Sequence, residues 1–268
     1  MRAIGGGASV GRVINTLRRT TVSSGSSPSS LISWRDWVGG SMARRGRLIV
    51  FLGPVGVGKS TVIKGLAYVL KARGFRTYRT FIKAFHGPAY ILWVIIVKLL
   101  GLSGNSKYAP WLLMQRSGRI VLARKLLVLS IYLDAFISIP LKIIIVRVLR
   151  RFRYYVLSEE YLQSSLLDHV FMAISLRIKT DLSILSIPIS IEYALLNKYS
   201  PDLTIVLMTN MHELKRRWVI RGYGEPQLRY VLLQCAFFNK LNNAVHIDTT
   251  GMGIKETLDK VLEIFSIS

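Results

Sequence analysis

The stretch that most constrains this chain is Gly53-Pro54-Val55-Gly56-Val57-Gly58-Lys59-Ser60, followed by Thr61. It reads G-x-x-x-x-G-K-S, a phosphate-binding loop pattern. Its flanks supply the required context. Leu48-Ile49-Val50-Phe51-Leu52 is a β-branched and aromatic run suited to a buried strand. After the loop, Val62, Leu66, Val69 and Leu70 recur at helical spacing, and Gly74 is placed to cap that helix. In such a strand–loop–helix unit the glycines let the backbone curl, so that successive N–H groups point at phosphate oxygens. The N-terminus of the following helix adds partial positive charge. Lys59 is expected to reach the β- and γ-phosphates, and the Ser60 hydroxyl to ligate Mg²⁺. Gly53, Val55, Gly56, Val57, Gly58, Lys59, Ser60 and Thr61 are therefore the expected ATP-binding segment.

The 268 residues, about half of them apolar, suffice for a sizeable core, either as one decorated domain or as a domain with a tail. The charge is lopsided. Thirty-seven Lys and Arg oppose fourteen Asp and Glu, a net charge of +23. Between Lys71 and Arg153 there are sixteen basic residues and one acid, Asp134. Such a field attracts nucleoside phosphates, nucleic acid or an anionic membrane surface, and charge alone does not choose among them. No aromatic-and-basic RNA-binding signature accompanies it, which argues against nucleic acid. The single Cys235 excludes an internal disulfide and lies in an apolar run that suggests a buried structural thiol.

Residues 1–45 carry Gly5-Gly6-Gly7, a Ser/Thr-rich run from Thr20 to Ser30 and no periodicity. They are expected to be a disordered extension, or to lie upstream of a true start at Met42. Arg2, Arg12, Arg18 and Arg19 with no acid before Asp36 leave organellar targeting open. The folded part is expected over residues 46–268, in the cytoplasm or associated with a membrane.

Beyond the first helix, Phe75–Ile82 alternates as a second strand and leads into Lys83 and the His86-Gly87-Pro88 turn. Ligands of open α/β sheets bind beyond the carboxyl ends of strands, which makes Lys83 and His86 candidates for holding an acceptor. An apolar helical insertion spans about residues 88–152. It holds Ala89–Leu102 and the longer Leu126–Leu149. The first is too short to span a bilayer, and the second contains Asp134, Pro140, Lys142 and Arg147. Such helices are buried, pair in a homodimer or lie on a membrane, and the basic flanks Arg124-Lys125 and Arg150–Arg153 suit an anionic lipid surface.

A third strand, Tyr154–Leu157, opens into Ser158-Glu159-Glu160-Tyr161. An acid at that end of a strand can hold Mg²⁺ or polarise an attacking hydroxyl, and Glu159 is the candidate. A helix follows from Tyr161. Leu203–Met208 is the fourth strand, and Asp202 at its start reads as a turn or cap. Arg216, Arg217 and Arg221 lie on a basic helix that breaks at Gly222-Tyr223-Gly224. Over about 216–226 they could close on phosphates and stabilise developing charge. Ala244–Asp248 is the fifth strand, and a final amphipathic helix ends the chain.

In this order of parts the chain resembles the thymidylate kinase branch of the P-loop nucleoside-monophosphate kinases. The likeness covers about residues 47–82 and 154–266. It rests on the loop, on Glu159-Glu160-Tyr161-Leu162-Gln163-Ser164-Ser165 against the family's D-R-Y-x-x-S-S, on Pro201-Asp202-Leu203-Thr204-Ile205, on the arginine-rich helix and on Ile247-Asp248-Thr249. The resemblance implies an α/β P-loop three-layer sandwich with a five-stranded, mainly parallel sheet of order 2-3-1-4-5. It also implies transfer of a phosphoryl group from Mg-ATP to a nucleoside monophosphate, with Tyr161 and Ser164 on the acceptor side and Thr249 and Thr250 lining the adenine pocket. Val55 stands where the family usually has an acid, and Glu160 where it has Arg. Asp168 and His169 replace a frequent Tyr-Gln. These departures motivate two alternatives: a P-loop kinase acting on an apolar or lipid-linked acceptor at a membrane, and a non-catalytic ATP-binding regulatory protein.

Overall fold

The computed structural model describes residues 46–102, 109–178, 183–222 and 226–265. The extension at 1–45 and the part of the arginine loop at 223–225 lie outside the described residues. The strands are β1 (Leu48–Leu52), β2 (Thr77–Phe81), β3 (Tyr155–Glu159), β4 (Leu203–Met208) and β5 (Val245–Asp248). They form one five-stranded sheet of order β2-β3-β1-β4-β5. The pairs β1–β3, β2–β3 and β4–β5 are all parallel. The expected α/β class and strand order are both observed. β1 is buried along its whole length, as a continuous apolar run without alternation should be when helices cover both faces of a parallel sheet.

Ten α-helices are described: α1 (Lys59–Ala72), α2 (Pro88–Leu99), α3 (Pro110–Arg116), α4 (Ile120–Leu133), α5 (Ile139–Arg151), α6 (Leu162–Ser175), α7 (Ser183–Lys198), α8 (Met211–Arg221), α9 (Leu228–Phe238) and α10 (Ile254–Ile264). The residues divide into two compact units. One comprises Gly53–Gly58 and the chain from Thr204 onward. The other comprises Arg44–Leu52 and Lys59–Leu203.

In the second unit, β1, β3 and β2 end in register, with both Phe51 and Phe81 opposite Glu159. Glu159 is thus the last residue of β3, whereas the sequence pattern ended that strand at Leu157. Asp202 fastens the other end of the sheet. Its carboxylate accepts the Leu48 amide at 2.7 Å and pairs with Arg150 at 2.9 Å.

The apolar insertion is a set of helices with its own core. Trp93, Val97, Met114, Leu127, Ile131, Met172 and Leu185 meet there. α4 and α5 are one continuous helical run joined by a π-helical turn at Asp134–Ser138. Pro140 explains the turn. Its ring would clash with the carbonyl four residues back and it donates no N–H, so the helix widens just before it instead of breaking.

Candidate functional site

The glycine loop is held by the unit it belongs to. Gly53, Gly56 and Gly58 all have positive φ, at 139°, 92° and 109°. A Cβ on Gly53 would overlap the Leu207 carbonyl, and one on Gly56 would overlap the Trp218 indole. Only glycine fits at either point. Three side chains then fix the loop between those glycines. Gln234 of α9 accepts the Val55 amide at 3.0 Å. The indole N–H of Trp218 donates to the Val55 carbonyl at 2.8 Å. Arg217 donates to the Val57 carbonyl at 2.7 Å.

Arg217 is committed elsewhere as well. It donates to the Thr249 hydroxyl and carbonyl at 3.2 and 3.0 Å, to the Met252 carbonyl at 3.4 Å and to Glu213 at 2.9 Å. Glu213 is reached too by Arg216, through Nε and Nη2 at 2.9 and 2.8 Å. Hydrogen bonds from Arg216 first, and from Arg217, hold the Glu213 carboxyl down at about 2. Asn210 caps α8 by accepting the Glu213 amide at 2.8 Å. Of the three expected arginines, Arg217 thus shapes the loop, whereas Arg216 and Arg221 are exposed on α8. Thr249 is fully buried, with its hydroxyl on the Met208 carbonyl at 2.9 Å. The Thr250 hydroxyl is held by Asp248 at 2.6 Å.

The other unit holds the first residues of α1 and the ends of β2 and β3. The Ser60 hydroxyl donates to Glu159 Oε1 at 2.7 Å. Lys59 Nζ lies 2.9 Å from Glu160 Oε1, with both side chains buried. Glu160 adopts φ 68°, a left-handed conformation rare for a residue with a side chain. Its own backbone holds it there: its amide donates to the Phe51 carbonyl at 3.0 Å, and its carbonyl accepts the Ser158 hydroxyl at 2.7 Å. Burial pushes the Glu160 carboxyl up, but Lys59, Lys83 and the Ser164 hydroxyl outweigh it and leave it below the ordinary carboxylate range.

The expected acceptor residues separate into two groups. Lys83 and Ser164 come together beside Glu160, and Lys83 pairs with Asp168 at 3.8 Å. Burial lowers the Lys83 ammonium, yet Asp168, Glu160 and Glu159 together raise it. His86 is turned to the Ala84 carbonyl at 2.7 Å and packs edge-on to Phe81. Burial first, then Lys142 and Lys83, push its imidazole down. Tyr161 is buried, with its hydroxyl donating to the Tyr199 carbonyl at 2.6 Å and raised by burial. A cavity of about 420 Å³ runs from Ser60 and Glu159 between α1 and β2, with Lys64, Lys71 and Arg79 on its walls.

Mg²⁺ fits this donor set. A hydroxyl and a carboxylate oxygen are hard ligands of the kind it takes, and it prefers a few protein ligands completed by phosphate and water. Among the described residues no cluster of three or more His, Cys, Asp or Glu forms an all-protein metal cage.

Sequence reasoning missed Trp218, Gln234 and the Lys59–Glu160 pair. A signal existed for the first two. Gln234 is a polar side chain inside an apolar helix, and Trp218 an aromatic one inside a basic helix. Cys235, next to Gln234, is half-buried, and burial raises its thiol above its ordinary value.

The sheet order and the glycine loop define a P-loop kinase-like fold. No protein-family profile and no curated protein sequence matches the chain. Solved structures do. One is a thymidylate kinase from Candida albicans, whose structure is described as revealing the origin of broad substrate specificity and a novel structural element. It is 18 % identical over 83 % of this chain and 92 % of its own, with a TM-score of 0.51. The fold is therefore that of the P-loop nucleoside-monophosphate kinases.

Proposed function

We propose that this protein transfers a phosphoryl group from Mg-ATP to a small acceptor, with a nucleoside monophosphate of the thymidylate type as the leading acceptor. The observation that carries the reading is the Ser60 hydroxyl set 2.7 Å from Glu159, one residue after the buried Lys59. A hydroxyl and a carboxylate side by side at the start of a phosphate-loop helix are what a magnesium–triphosphate complex requires. Lys59 neutralises the donor phosphates once it leaves Glu160. Bound Mg²⁺ would neutralise charge on the transferring group, and the rest of catalysis is positioning. The likeness to a thymidylate kinase supports the nucleotide acceptor.

A second acceptor class is favoured by the charges beside Glu160. Three carboxylates, Glu159, Glu160 and Asp168, face two lysines, Lys59 and Lys83, which are both already paired. An acceptor bringing its own phosphate would have to displace those pairs, whereas an uncharged alcohol, including a lipid-linked one, would not. The test is ADP release by purified protein given Mg-ATP and a panel of nucleoside monophosphates, nucleosides and lipid-linked alcohols. Turnover with a monophosphate supports the first acceptor, and turnover only with an uncharged alcohol supports the second. ATP binding with no turnover on any acceptor refutes the kinase reading in favour of a regulatory ATP-binding protein.

A further inference from the structure

The run from Ile120 to Arg151 is 32 residues long, about 48 Å of helix at 1.5 Å per residue. By length and composition it is the one helix among the described residues able to cross a membrane. Its two faces differ sharply. One packs inward through Leu127, Ile131, Ala135, Ile139, Ile143 and Val146, which are all buried. The other leaves Leu129, Phe136, Ile137, Leu141, Ile144 and Val148 between 47 % and 56 % exposed. Leu129 and Phe136 are seven apart, and Ile137, Leu141, Ile144 and Val148 follow at four, three and four, so they form a stripe along the helix and not scattered contacts.

Charge frames this stripe with a single sign. Of the basic residues of the run, Lys125, Arg147 and Arg151 are exposed, whereas Arg124, Lys142 and Arg150 donate to the Leu176 carbonyl, the Phe81 carbonyl and Asp202; its one acid, Asp134, is fully buried. Phe152 and Arg153 extend the pattern past the helix end, both exposed.

We infer that this stripe is a docking surface for an anionic lipid bilayer, with the helix lying in the plane of the membrane. Large apolar side chains that the other described residues leave exposed are removed from water by an acyl-chain boundary. The exposed Lys125, Arg147, Arg151 and Arg153 meet the negative headgroups, which attract basic side chains one by one. A second copy of this chain is the poorer occupant, because a two-fold contact through this face would bring the same basic rim against itself. The helix does not cross the bilayer in this arrangement. Its inner face is committed to the protein core, and only 39 % of its most apolar stretch is buried there, leaving the outer face for the lipid. The inference is independent of the phosphoryl-transfer reading and stands whichever acceptor that site takes.

Vesicle flotation of the full-length protein tests it, with phosphatidylcholine vesicles and with vesicles that also contain phosphatidylglycerol, at low and high salt. The expected result is flotation with the anionic vesicles at low salt, weakened by salt. The double variant Leu141→Asp with Ile144→Asp should bind those vesicles roughly tenfold more weakly or less. Ile254→Ser, an exposed apolar residue of α10, should bind like the unchanged protein. Urea midpoints of the variants close to that of the unchanged protein confirm that they fold. Three outcomes overturn the proposal. The full-length protein stays unbound with anionic vesicles at low salt. The double variant floats as well as the unchanged protein. The unchanged protein is a dimer that the double variant converts to a monomer.

Discussion

The glycine loop and the helical insertion use buried polar groups in opposite ways. In the loop, side chains hold backbone: Trp218, Gln234 and Arg217 each take one group of Val55 or Val57. Where the insertion meets α6 and α7, side chains hold each other. His169 is fully buried between Asp134 and Glu192, 3.2 Å from the Oδ2 of the first and 2.9 Å from the Oε1 of the second. The contact to Glu192 has ion-pair distance without hydrogen-bond alignment, because the imidazole N–H is not directed at the carboxylate. Asp134 Oδ2 also accepts the Phe85 amide at 2.6 Å. The loop therefore uses side-chain-to-backbone hydrogen bonds for a shape that a ligand can use, whereas this second region uses buried charge to fix how the Asp134 turn, α6 and α7 meet. The first arrangement is adjustable one bond at a time, and the second fails as a unit.

His169→Gln is the sharpest way to break this contrast and has the largest expected effect. It leaves two buried carboxylates without their cation, a loss of about 3–5 kcal/mol in urea unfolding. Burial lowers the imidazole, but Glu192 and Asp134 overcome it and raise it from 6.5 to about 10. The folded state thus keeps a proton that the unfolded chain gives up. That stabilisation is fully present below about pH 6.5 and is lost as pH rises through about 10. Urea midpoints of the unchanged protein should fall across that window, and those of the variant should fall less. Equal slopes in the two proteins would remove the claim that His169 is charged.

Lys59→Ala comes next. It should lower turnover per enzyme by about a hundredfold or more, equivalent to about 3 kcal/mol at the transition state. Glu160→Gln should act in the other direction on ATP. Here the carboxylate holds Lys59 at 2.9 Å, and a triphosphate must compete for the same ammonium. The amide competes less well, so ATP should bind roughly tenfold tighter, which is about 1.4 kcal/mol. The nucleotide-free variant should melt at a lower temperature, because Lys59 is then buried without a full charge partner, and ATP should raise its Tm by more than that of the unchanged protein. Calorimetric titration with ATP settles the point, and equal affinity would show that Glu160 and the triphosphate do not compete.

The legibility of these features in the sequence follows the range of the interactions that make them. The strand, loop and helix around Gly53–Ser60 are local, with every signal within some twenty-five residues, and the sheet order came from the family resemblance that the loop and the later motifs carry. Glu159 was readable because it ends a strand, and the structure sets Ser60 against it. What the sequence hid depends on contacts across large separations. Gln234 and Val55 are 179 residues apart, and Arg217 and Val57 are 160 apart. A residue such as Arg217, basic on a helix near a glycine turn, looks the same whether it meets a phosphate or a carbonyl. Asp134, too, reads as a flaw in an apolar stretch until His169 and Glu192 are placed beside it. Pro140 was legible only as a residue unsuited to a clean membrane span, and the π-helical turn shows how the helix passes it.

The smallest expected effect tests the loop half of the contrast most directly. Trp218→Phe keeps a ring against Gly56 and deletes only the N–H that the Val55 carbonyl accepts at 2.8 Å. One neutral hydrogen bond of this kind is worth about 1 kcal/mol. If this bond helps to fix the loop, the variant should bind ATP some fivefold more weakly, with its urea midpoint only slightly lowered. Gln234→Leu removes a different bond from the same residue, the Val55 amide at 3.0 Å. Because both hold the same residue, through the peptide groups on either side of it, the double variant should lose more than the sum of the two, in contrast to pairs drawn from distant parts of the protein. Simple additivity in ATP affinity would mean that Val55 is held by its neighbours in sequence rather than by α8 and α9, and the glycines alone would then carry the loop.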